Sequence, residues 1–436
     1  MGSSGRRRRA RATMLPAFAW RRSRRAPAST GGLAVATLLL SSVAWGPGCS
    51  RDVDLLRPPG AGDGSTVLPD GALPPSSCQG LGPPVRFATA AGPTCAATIA
   101  ARAHRTGICS CSDWTVSGPV QITNNASAPG AIPPGPVALG VNGALVATND
   151  LTVAGAVYAS GLKGVTVGGH VDIDASLRSG GPITFVGPSQ ATLGADLYAA
   201  SDVIGPARIT GTLHLPAGAV VGAATFPSAV VREVVKVEPP CDCAAPFDVS
   251  AAIAAAMATN DNAALGMTVD RLANLTTATK IDLSCGTYAL ASISSQASLT
   301  LGIHGRVLIA VAGDVLLQRG FGVVFDPTVP GAELDLLVLG AFTANAGPTV
   351  PVGTAYSGLL RVWIAGTGPI AVPAAPILGG VFHAPGAALM APRGLTLIGS
   401  ITAGSLAVAG QVSVDYDDAI LEAGTACGDP KVEPLP

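Results

Sequence analysis

Charged and aromatic side chains are scarce in this chain. Only 12% of its residues are charged and 4% are aromatic, whereas an ordinary globular domain carries roughly 25% charged residues. The formal net charge is −1, so the chain as a whole has no field that would attract nucleic acid, and we expect no nucleic-acid partner. The hydrophobic fraction of 48% is too high for a disordered chain.

Recognisable metal-binding and catalytic motifs are missing as well. None of the histidines has the spacing of a metal site, and they are scattered along the chain as His104, His170, His214, His304 and His383. The two Cys-x-Cys pairs lack the Cys-x₂-Cys spacing that is usual for zinc. A Gly-x-Ser-x-Gly elbow in a strand–helix setting is also missing. We therefore predict no metal, no cofactor and no catalytic residue.

The first 48 residues have the pattern of an export signal. An arginine-rich stretch precedes the apolar run Leu33–Ala44, which is shorter than the roughly 20 residues that span a bilayer. The run is followed by Gly46-Pro47-Gly48-Cys49, which resembles a bacterial lipoprotein processing site and implies that Cys49 is lipidated. A plain secretory signal, with Cys49 in a disulfide, and an uncleaved anchor are the alternatives.

Residues 49–77 are rich in Pro, Gly and Ser, a composition typical of a flexible tether. Ser50 is not the aspartate that retains many lipoproteins at the inner membrane. The resemblance therefore favours the outer membrane, on either its periplasmic or its exposed side. The expected partners are the membrane, through the lipid anchor, and polysaccharides or other envelope proteins.

Eight cysteines remain after Cys49, an even number that suits a disulfide framework in an exported protein. Eight cysteines allow 105 pairings, so the connectivity is not fixed by the sequence. We predict pairing within two local sets, the first being Cys78, Cys95, Cys109 and Cys111 and the second Cys241, Cys243, Cys285 and Cys427.

Residues 78–235 are predicted to be a cysteine-containing region, up to Asp113, followed by one half of a β-helix, and residues 281–424 are predicted to be the other half. In both halves, short apolar runs alternate with small or polar residues. Examples are Val153–Val157, Val165–Ile173 and the longer stretch Leu395–Ile420. The period of two predicts strands, and glycine recurs where the chain must turn. Because each run is too short to bury much alone, we predict an all-β fold in which the runs stack as a right-handed parallel β-helix. An antiparallel sandwich is the competing fold.

The non-repetitive segments receive separate predictions. Ala96–Ala103 is expected to form a short helix. The linker 236–280 is predicted to carry a second helix over Asp248–Asn262, capped by Ser250 and lying across an end of the coil stack. The polar tail 425–436 is expected to be held by Cys427.

The succession CGTYAL, GRVLIAVAGDV, ELDLLVLG and LRVWIAG, followed by the segment Val381–Ala387 and by Tyr416-Asp417, resembles a family of uncharacterised β-helical bacterial envelope and surface proteins. Many members are lipoproteins. The resemblance covers residues 240–422 well and 105–235 more loosely, and Asp415 stands where the family often has histidine. It implies a parallel β-helix with a structural or adhesive role. More distantly, the coils are similar to polymer-forming bactofilin-type scaffolds, which implies self-association.

A non-enzymatic structural or binding module of the cell envelope is therefore the favoured function. The alternative is a carbohydrate-active β-helix, a polysaccharide lyase or hydrolase or a degenerate relative of one, which would need converging carboxylates. The acidic candidates for such a site are Asp172 with Asp174, Glu333 with Asp335, and the cluster of Asp415, Asp417 and Asp418. Residues spaced i, i+2 share one face of a strand, but ordinary solvated faces have the same pattern.

Overall fold

Short strands make up most of the described chain. The computed structural model describes residues 80–124, 137–187, 190–223, 225–345, 348–349, 357–374 and 377–433. All described residues belong to one unit, within Asp63–Pro436. The predicted export signal, Cys49, the tether and Cys78 lie outside the described residues and stay predictions.

The first half of the described chain contains one hairpin, one helix and a first series of coils. The elements are β1 (Arg86–Thr89), β2 (Gly92–Cys95), α1 (Ala96–Ala103), β3 (Ile108–Ser110), β4 (Trp114–Val116), β5 (Val120–Asn124), β6 (Val137–Val141), β7 (Leu145–Ala147), β8 (Leu151–Val153), β9 (Gly155–Ala159), β10 (Val165–Val167), β11 (Val171–Ile173), β12 (Leu177–Ser179), β13 (Ile183–Phe185), β14 (Ala191–Leu193), β15 (Leu197–Ala199), β16 (Val203–Ile204), β17 (Ala207–Leu215) and β18 (Thr225–Arg232). Strands β3–β18 are called the N-terminal coils.

The second half contains helix α2 and a second series of coils. The elements are α2 (Val249–Ala258), the 3₁₀ helix Asn262–Leu265, β19 (Thr279–Leu283), β20 (Gly286–Leu290), β21 (Ile293–Ser295), β22 (Leu299–Ile303), β23 (Arg306–Val311), β24 (Val315–Leu317), β25 (Phe321–Phe325), β26 (Glu333–Val338), β27 (Phe342–Ala344), β28 (Pro348–Thr349), the 3₁₀ helix Ser357–Leu359, β29 (Leu360–Ile364), β30 (Ile370–Ala371), β31 (Ile377–Ala391), β32 (Leu395–Val408), β33 (Val412–Tyr416) and the 3₁₀ helix Asp418–Cys427. Strands β19–β33 are called the C-terminal coils.

The strands stack in parallel, coil upon coil, which confirms the all-β solenoid and excludes the sandwich. In the part of the chain that the structure describes, only the β1–β2 hairpin is antiparallel. Leu177 pairs with Val157 on one side and with Leu197 on the other, and all three point into the buried core. Burying each such side chain contributes about 1.5–3 kcal/mol. The right-handedness stays a prediction.

The two series of coils are not stacked in the order in which they occur in the sequence. The last coils stack on the first, because β32 pairs with β3 (Ile401 with Ile108) and β33 pairs with β5 (Val414 with Ile122). The two series therefore form one continuous stack, with the start of the N-terminal coils and the end of the C-terminal coils at its middle. We call this contact the junction.

Helix α2 lies on the side of the stack, not across its end. It contacts β20, β23 and β26, so the predicted position was wrong. Its cap also differs from the prediction, because Asp248 accepts a hydrogen bond from the Ala251 N–H at 2.9 Å. The end of the stack near β19 is covered instead by residues 267–278, from which Leu272 packs into the core. Helix α1 begins and ends where predicted.

Candidate functional site

One row of outward-facing side chains runs along the whole stack and crosses the junction. Each residue of the row is the register partner of the next one, which lies on the neighbouring strand. On its own strand, each is flanked by residues that face the core. In order, the row is Ala289, Ala310, Leu337, Trp363, His383, Thr402, Cys109, Gly140, Tyr158, Arg178, Tyr198, His214 and Val231. We call it the outward row, and its two halves differ in what lies over them.

The half of the outward row on the C-terminal coils is covered by a second layer. This cover layer consists of residues 86–103 and 241–258, including α1 and α2. Phe87 stacks on Phe247 with ring centroids 4.0 Å apart, and Phe247 meets Trp363 edge-on at 5.1 Å. Trp363 is 1% exposed. Trp363 therefore belongs to the buried core between the coils and the cover layer.

The carboxylates of Glu333 and Asp335 lie beneath this layer in a buried ion cluster. They share one outward strand face, as predicted, but the face is covered and not solvated. Asp335 accepts hydrogen bonds from Arg361 Nε at 2.8 Å and from Trp363 Nε1 at 2.9 Å. Arg361 also contacts Glu333 at 2.9 Å. Burial alone would lower the pKa of Arg361, but the two carboxylates outweigh it and raise the pKa.

Disulfides fasten the cover layer across the junction. Cys109 is bonded to Cys241 and Cys111 to Cys243, which joins the first coil to the segment that leads into α2. Cys95 is bonded to Cys427, which confirms that Cys427 holds the tail. All three bonds connect the two sets, so the predicted local grouping is wrong. Cys285 is disulfide-bonded too.

Two histidines from distant parts of the sequence meet beside the junction. The ring centroids of His104 and His383 lie 5.5 Å apart, and His383 lies 5.6 Å from Trp363. His104 Nδ1 is 3.0 Å from Ser400 Oγ. Its Nε2 and both ring nitrogens of His383 have no hydrogen-bond partner within the described part of the chain. Sequence reasoning missed this pair because 279 residues separate its members and neither has a local motif.

Burial keeps both imidazoles neutral. It lowers the pKa of His383 to about 4. It also lowers the pKa of His104, and the neighbouring His383 adds to that second shift. His383 also lines a cavity of about 710 Å³ between the cover layer and the coils. The cavity is bounded on one side by Phe247 and Val249 and on the other by Ile364 and Pro385.

In the part of the chain that the structure describes, no second layer lies over the outward row from Arg178 to Val231, whereas Cys109 and Gly140 lie under Cys241. The guanidinium carbon of Arg178 lies 5.6 Å from the ring centroid of Tyr158 and 4.6 Å from that of Tyr198. Tyr198 stacks on His214 at 4.3 Å, and His214 Nδ1 lies 2.7 Å from Glu233 Oε1. These side chains form a ladder of rings and charge, in which Arg178, Tyr198 and His214 are partly exposed and Tyr158 is buried. We call Tyr158, Arg178, Tyr198 and His214 the open ladder.

The remaining acidic candidates do not converge on a site. Asp417 accepts hydrogen bonds from Ser357 Oγ at 2.5 Å and from the Ala419 N–H at 3.0 Å, and burial raises its pKa. It caps the last 3₁₀ helix. Asp172 is partly exposed on β11 and Asp174 is exposed just beyond it. The described residues contain no group of three or more potential metal ligands.

Other aspartates hold successive coils together, a role that the sequence did not indicate. Each accepts a backbone N–H from the next coil at 2.7–2.8 Å, the pairs being Asp113 with Ala144, Asp150 with His170, Asp196 with Thr212 and Asp314 with Ala341. A glycine precedes each N–H donor, and a Cβ atom at that glycine would overlap the aspartate oxygen. These glycines are therefore required by close approach, not by turn geometry.

Residues 232–423 match a family model described as a domain of unknown function (DUF7305). The match spans the segment that carries the cover-layer disulfides and all of the C-terminal coils. No curated protein and no solved structure matches the chain. No helix in the described ranges is long and apolar enough to cross a membrane.

Proposed function

We propose that this protein is a non-enzymatic structural and binding module of the cell envelope, with Cys49 as its lipid anchor and the open ladder as its adhesive surface. The observation that carries the proposal is that these carboxylates are engaged in structural contacts. Four carboxylates accept backbone N–H groups that hold neighbouring coils together, those of Asp113, Asp150, Asp196 and Asp314. The carboxylate of Asp335 is paired with the guanidinium of Arg361. A glycosidase needs two carboxyl groups facing one substrate.

The disulfides support an exported location. Three described bonds link residues 132 or more positions apart, and such frameworks form in oxidising compartments. They fasten the junction, which suits a coil stack that must stay folded outside the cytoplasm. The polymer partner in this proposal is an envelope polysaccharide, for which the ladder offers the guanidinium of Arg178 and the ring edges of Tyr198 and His214.

Binding to polymers tests the adhesive surface. Purified protein is mixed with insoluble peptidoglycan sacculi, or run in gels that contain polygalacturonate, and reducing ends are measured on the same polymers. We expect retention without release of reducing ends, and loss of retention in Arg178→Ala. Lys163→Ala removes an exposed cation elsewhere on the N-terminal coils and is the matched control. Turnover of either polymer would contradict the proposal, as would equal retention of both variants.

Fractionation tests the anchor. We expect the Cys49→Ala variant to be released from the membrane fraction and to lose labelling by an alkynyl fatty acid. The control variant, Ser50→Ala, should keep both its membrane association and its labelling. Unchanged fractionation of Cys49→Ala would refute lipidation and leave the plain secretory signal.

A further inference from the structure

The two ends of the coil stack are finished differently. At the end near β20, the carboxylate of Asp261 accepts the Thr287 N–H at 2.8 Å. The side-chain oxygen of Asn262 accepts the Ala289 N–H at 2.9 Å, and Leu272 packs into the core. Terminal repeats of a solenoid need a cap of this kind to stay soluble. This end is therefore capped by the chain itself.

The other end, formed by β18, lacks such a cap within the described residues. β18 pairs with β17 on one side, and no described strand pairs with its other side. The Glu233 N–H donates to Leu215 O at 3.0 Å. Because backbone groups alternate in direction along a strand of a parallel ladder, the N–H and C=O groups of Val230 and Arg232 point away from β17. An edge of this kind is a template for pairing with another chain.

The core is also open at this end. Leu177, Leu197 and Leu213 are successive register partners on the inward side, and all three are fully buried. Val230 is the next partner in this line, yet it is 46% exposed. On the neighbouring side of the same coil, Phe226 is 58% exposed. The last coil therefore lacks the neighbour that covers the preceding coils.

The described parts of the chain outside the coils are held elsewhere. Residues 233–240 follow β18 and lead to Cys241, which is bonded to Cys109 at the junction. The segment before the coils lies on the C-terminal coils, where Leu81 O accepts the Arg306 N–H at 2.8 Å. Neither segment reaches the open end, so its cover has to come from another molecule.

The shape of the last coil selects the kind of molecule that fits. The coil has three sides, one with Val221, which pairs with Val203 of the coil beneath, and two on β18, Thr225–Pro227 and Ala229–Arg232. A single foreign strand would pair with one side and leave the other two in water. A second copy of this coil has the same three sides and the same strand spacing of about 4.8 Å, so each copy would cover the core of the other.

Charge and the capped end both favour a closed pair. Arg232 is held by its own coil, because it donates to the carbonyl oxygens of Pro216 at 3.0 Å and Ala219 at 2.7 Å. Glu233 lies 2.7 Å from His214. These two charges are opposite in sign and already engaged, so they do not repel a second copy. Head-to-tail addition, which would make filaments, is prevented by the cap at the opposite end.

We propose that two copies of this chain join at their open ends through antiparallel pairing of Ala229–Arg232, with Val230 opposite Val230 on a two-fold axis. Such an axis exchanges the other two sides of the coil. It therefore places Phe226 of each copy next to Val220 of the partner subunit, and both side chains are exposed in one copy alone. The open ladders of the two copies would then continue one another on the same side of the dimer.

Sedimentation velocity of the purified full chain, with its disulfides intact, tests the pairing. One coil from each copy makes a small interface, so the measurement covers about 0.1 to 100 μM protein. We expect a reversible monomer–dimer equilibrium without larger species. Val230→Lys and Val230→Glu each place like charges opposite one another on the axis, and each should weaken dimerisation at least about tenfold.

An equimolar mixture of these two variants should recover the dimer, because lysine then faces glutamate across the axis. This rescue separates a lost contact from a misfolded end coil. Leu162→Lys makes the same kind of change at an exposed apolar residue on the side of the N-terminal coils, and it should dimerise like the unmodified chain.

Four outcomes would overturn the proposal: a monomer at every concentration, growth into larger species, unchanged dimerisation of the Val230 variants, or a mixture that remains monomeric. Arg178→Ala, which removes the cation of the adhesive surface, should dimerise normally. Polysaccharide retention is measured separately, so either proposal can fail alone.

Discussion

The two halves of the outward row occupy equivalent positions on one continuous stack, yet only one is buried. On the C-terminal coils the row contains Trp363 and His383 under a cover layer fastened by disulfides. On the N-terminal coils it contains Tyr198 and His214, which are partly exposed. The strand register is the same, so the difference comes from the segments inserted before and between the coils. Stacking builds the continuous core, and the cover layer determines which part of the coil surface remains exposed.

The largest difference between the halves should appear when a carboxylate is removed. Asp335→Ala leaves Arg361 buried with one partner fewer and Trp363 Nε1 without an acceptor, so we expect a loss of about 3–5 kcal/mol. Asp172→Ala, on the uncovered face of β11, is the control and should cost under about 0.5 kcal/mol. Urea unfolding of both variants measures the difference. Equal losses would show that the covered cluster is not structurally special.

Acid should affect the covered histidines and the exposed His304 in opposite directions. The pKa of His383 falls from 6.5 to about 4 on folding, so the unfolded state binds more protons between these values and stability falls as pH drops through them. The loss approaches about 3 kcal/mol. His383→Leu should flatten this slope in unfolding curves measured from pH 7 to 4.

His304, between Asp326 and Asp282 at 2.7 and 3.3 Å, is the contrasting case. The hydrogen bonds that its ring donates to Asp326 and Asp282 raise its pKa. Its contribution is therefore present below its unfolded pKa of about 6.5 and is lost as pH rises through its folded value. A profile of His383→Leu that matches the unmodified chain would contradict the assignment of the acid slope to His383.

The aspartate–glycine contact between coils should contribute equally to the free energy of unfolding in both halves. Gly211→Ala and Gly340→Ala each place a Cβ atom against an aspartate oxygen of the preceding coil, and we expect each to cost about 2 kcal/mol. Pairing Gly340→Ala with Asp314→Ala should cost less than the sum of the single changes, because the overlap with the carboxylate is gone and only the one with the Gly313 backbone remains. Strict additivity in thermal unfolding would refute the contact.

The smallest effect is expected for the open ladder. Tyr198→Ala removes the ring between Arg178 and His214, and we expect a loss of about 1 kcal/mol. The matched change in the covered half, Trp363→Ala, should cost about 3–5 kcal/mol. Calorimetric unfolding compares the two, and a similar loss for both would mean that the ladder is as structural as the covered core.

The sequence predicts the coils well because the inward side chains of each strand carry the period of two. It does not predict the junction, since the apolar edge of β3 is chemically equivalent to that of any other coil and could pair with any of them. The pairing of Cys109 with Cys241 and the meeting of His104 with His383 both depend on that junction. The position of α2 was missed because its alanines pack against the side of the coils as readily as against their end.

The junction also has a consequence for folding. Ile108 must find Ile401, 293 residues later in the chain, and contacts of such high sequence separation slow folding. The edge of β3 and β5 is synthesised first and covered last, so it stays unpaired while the C-terminal coils assemble. A nascent chain therefore has an exposed strand edge at its centre, and completion of the last coil closes it.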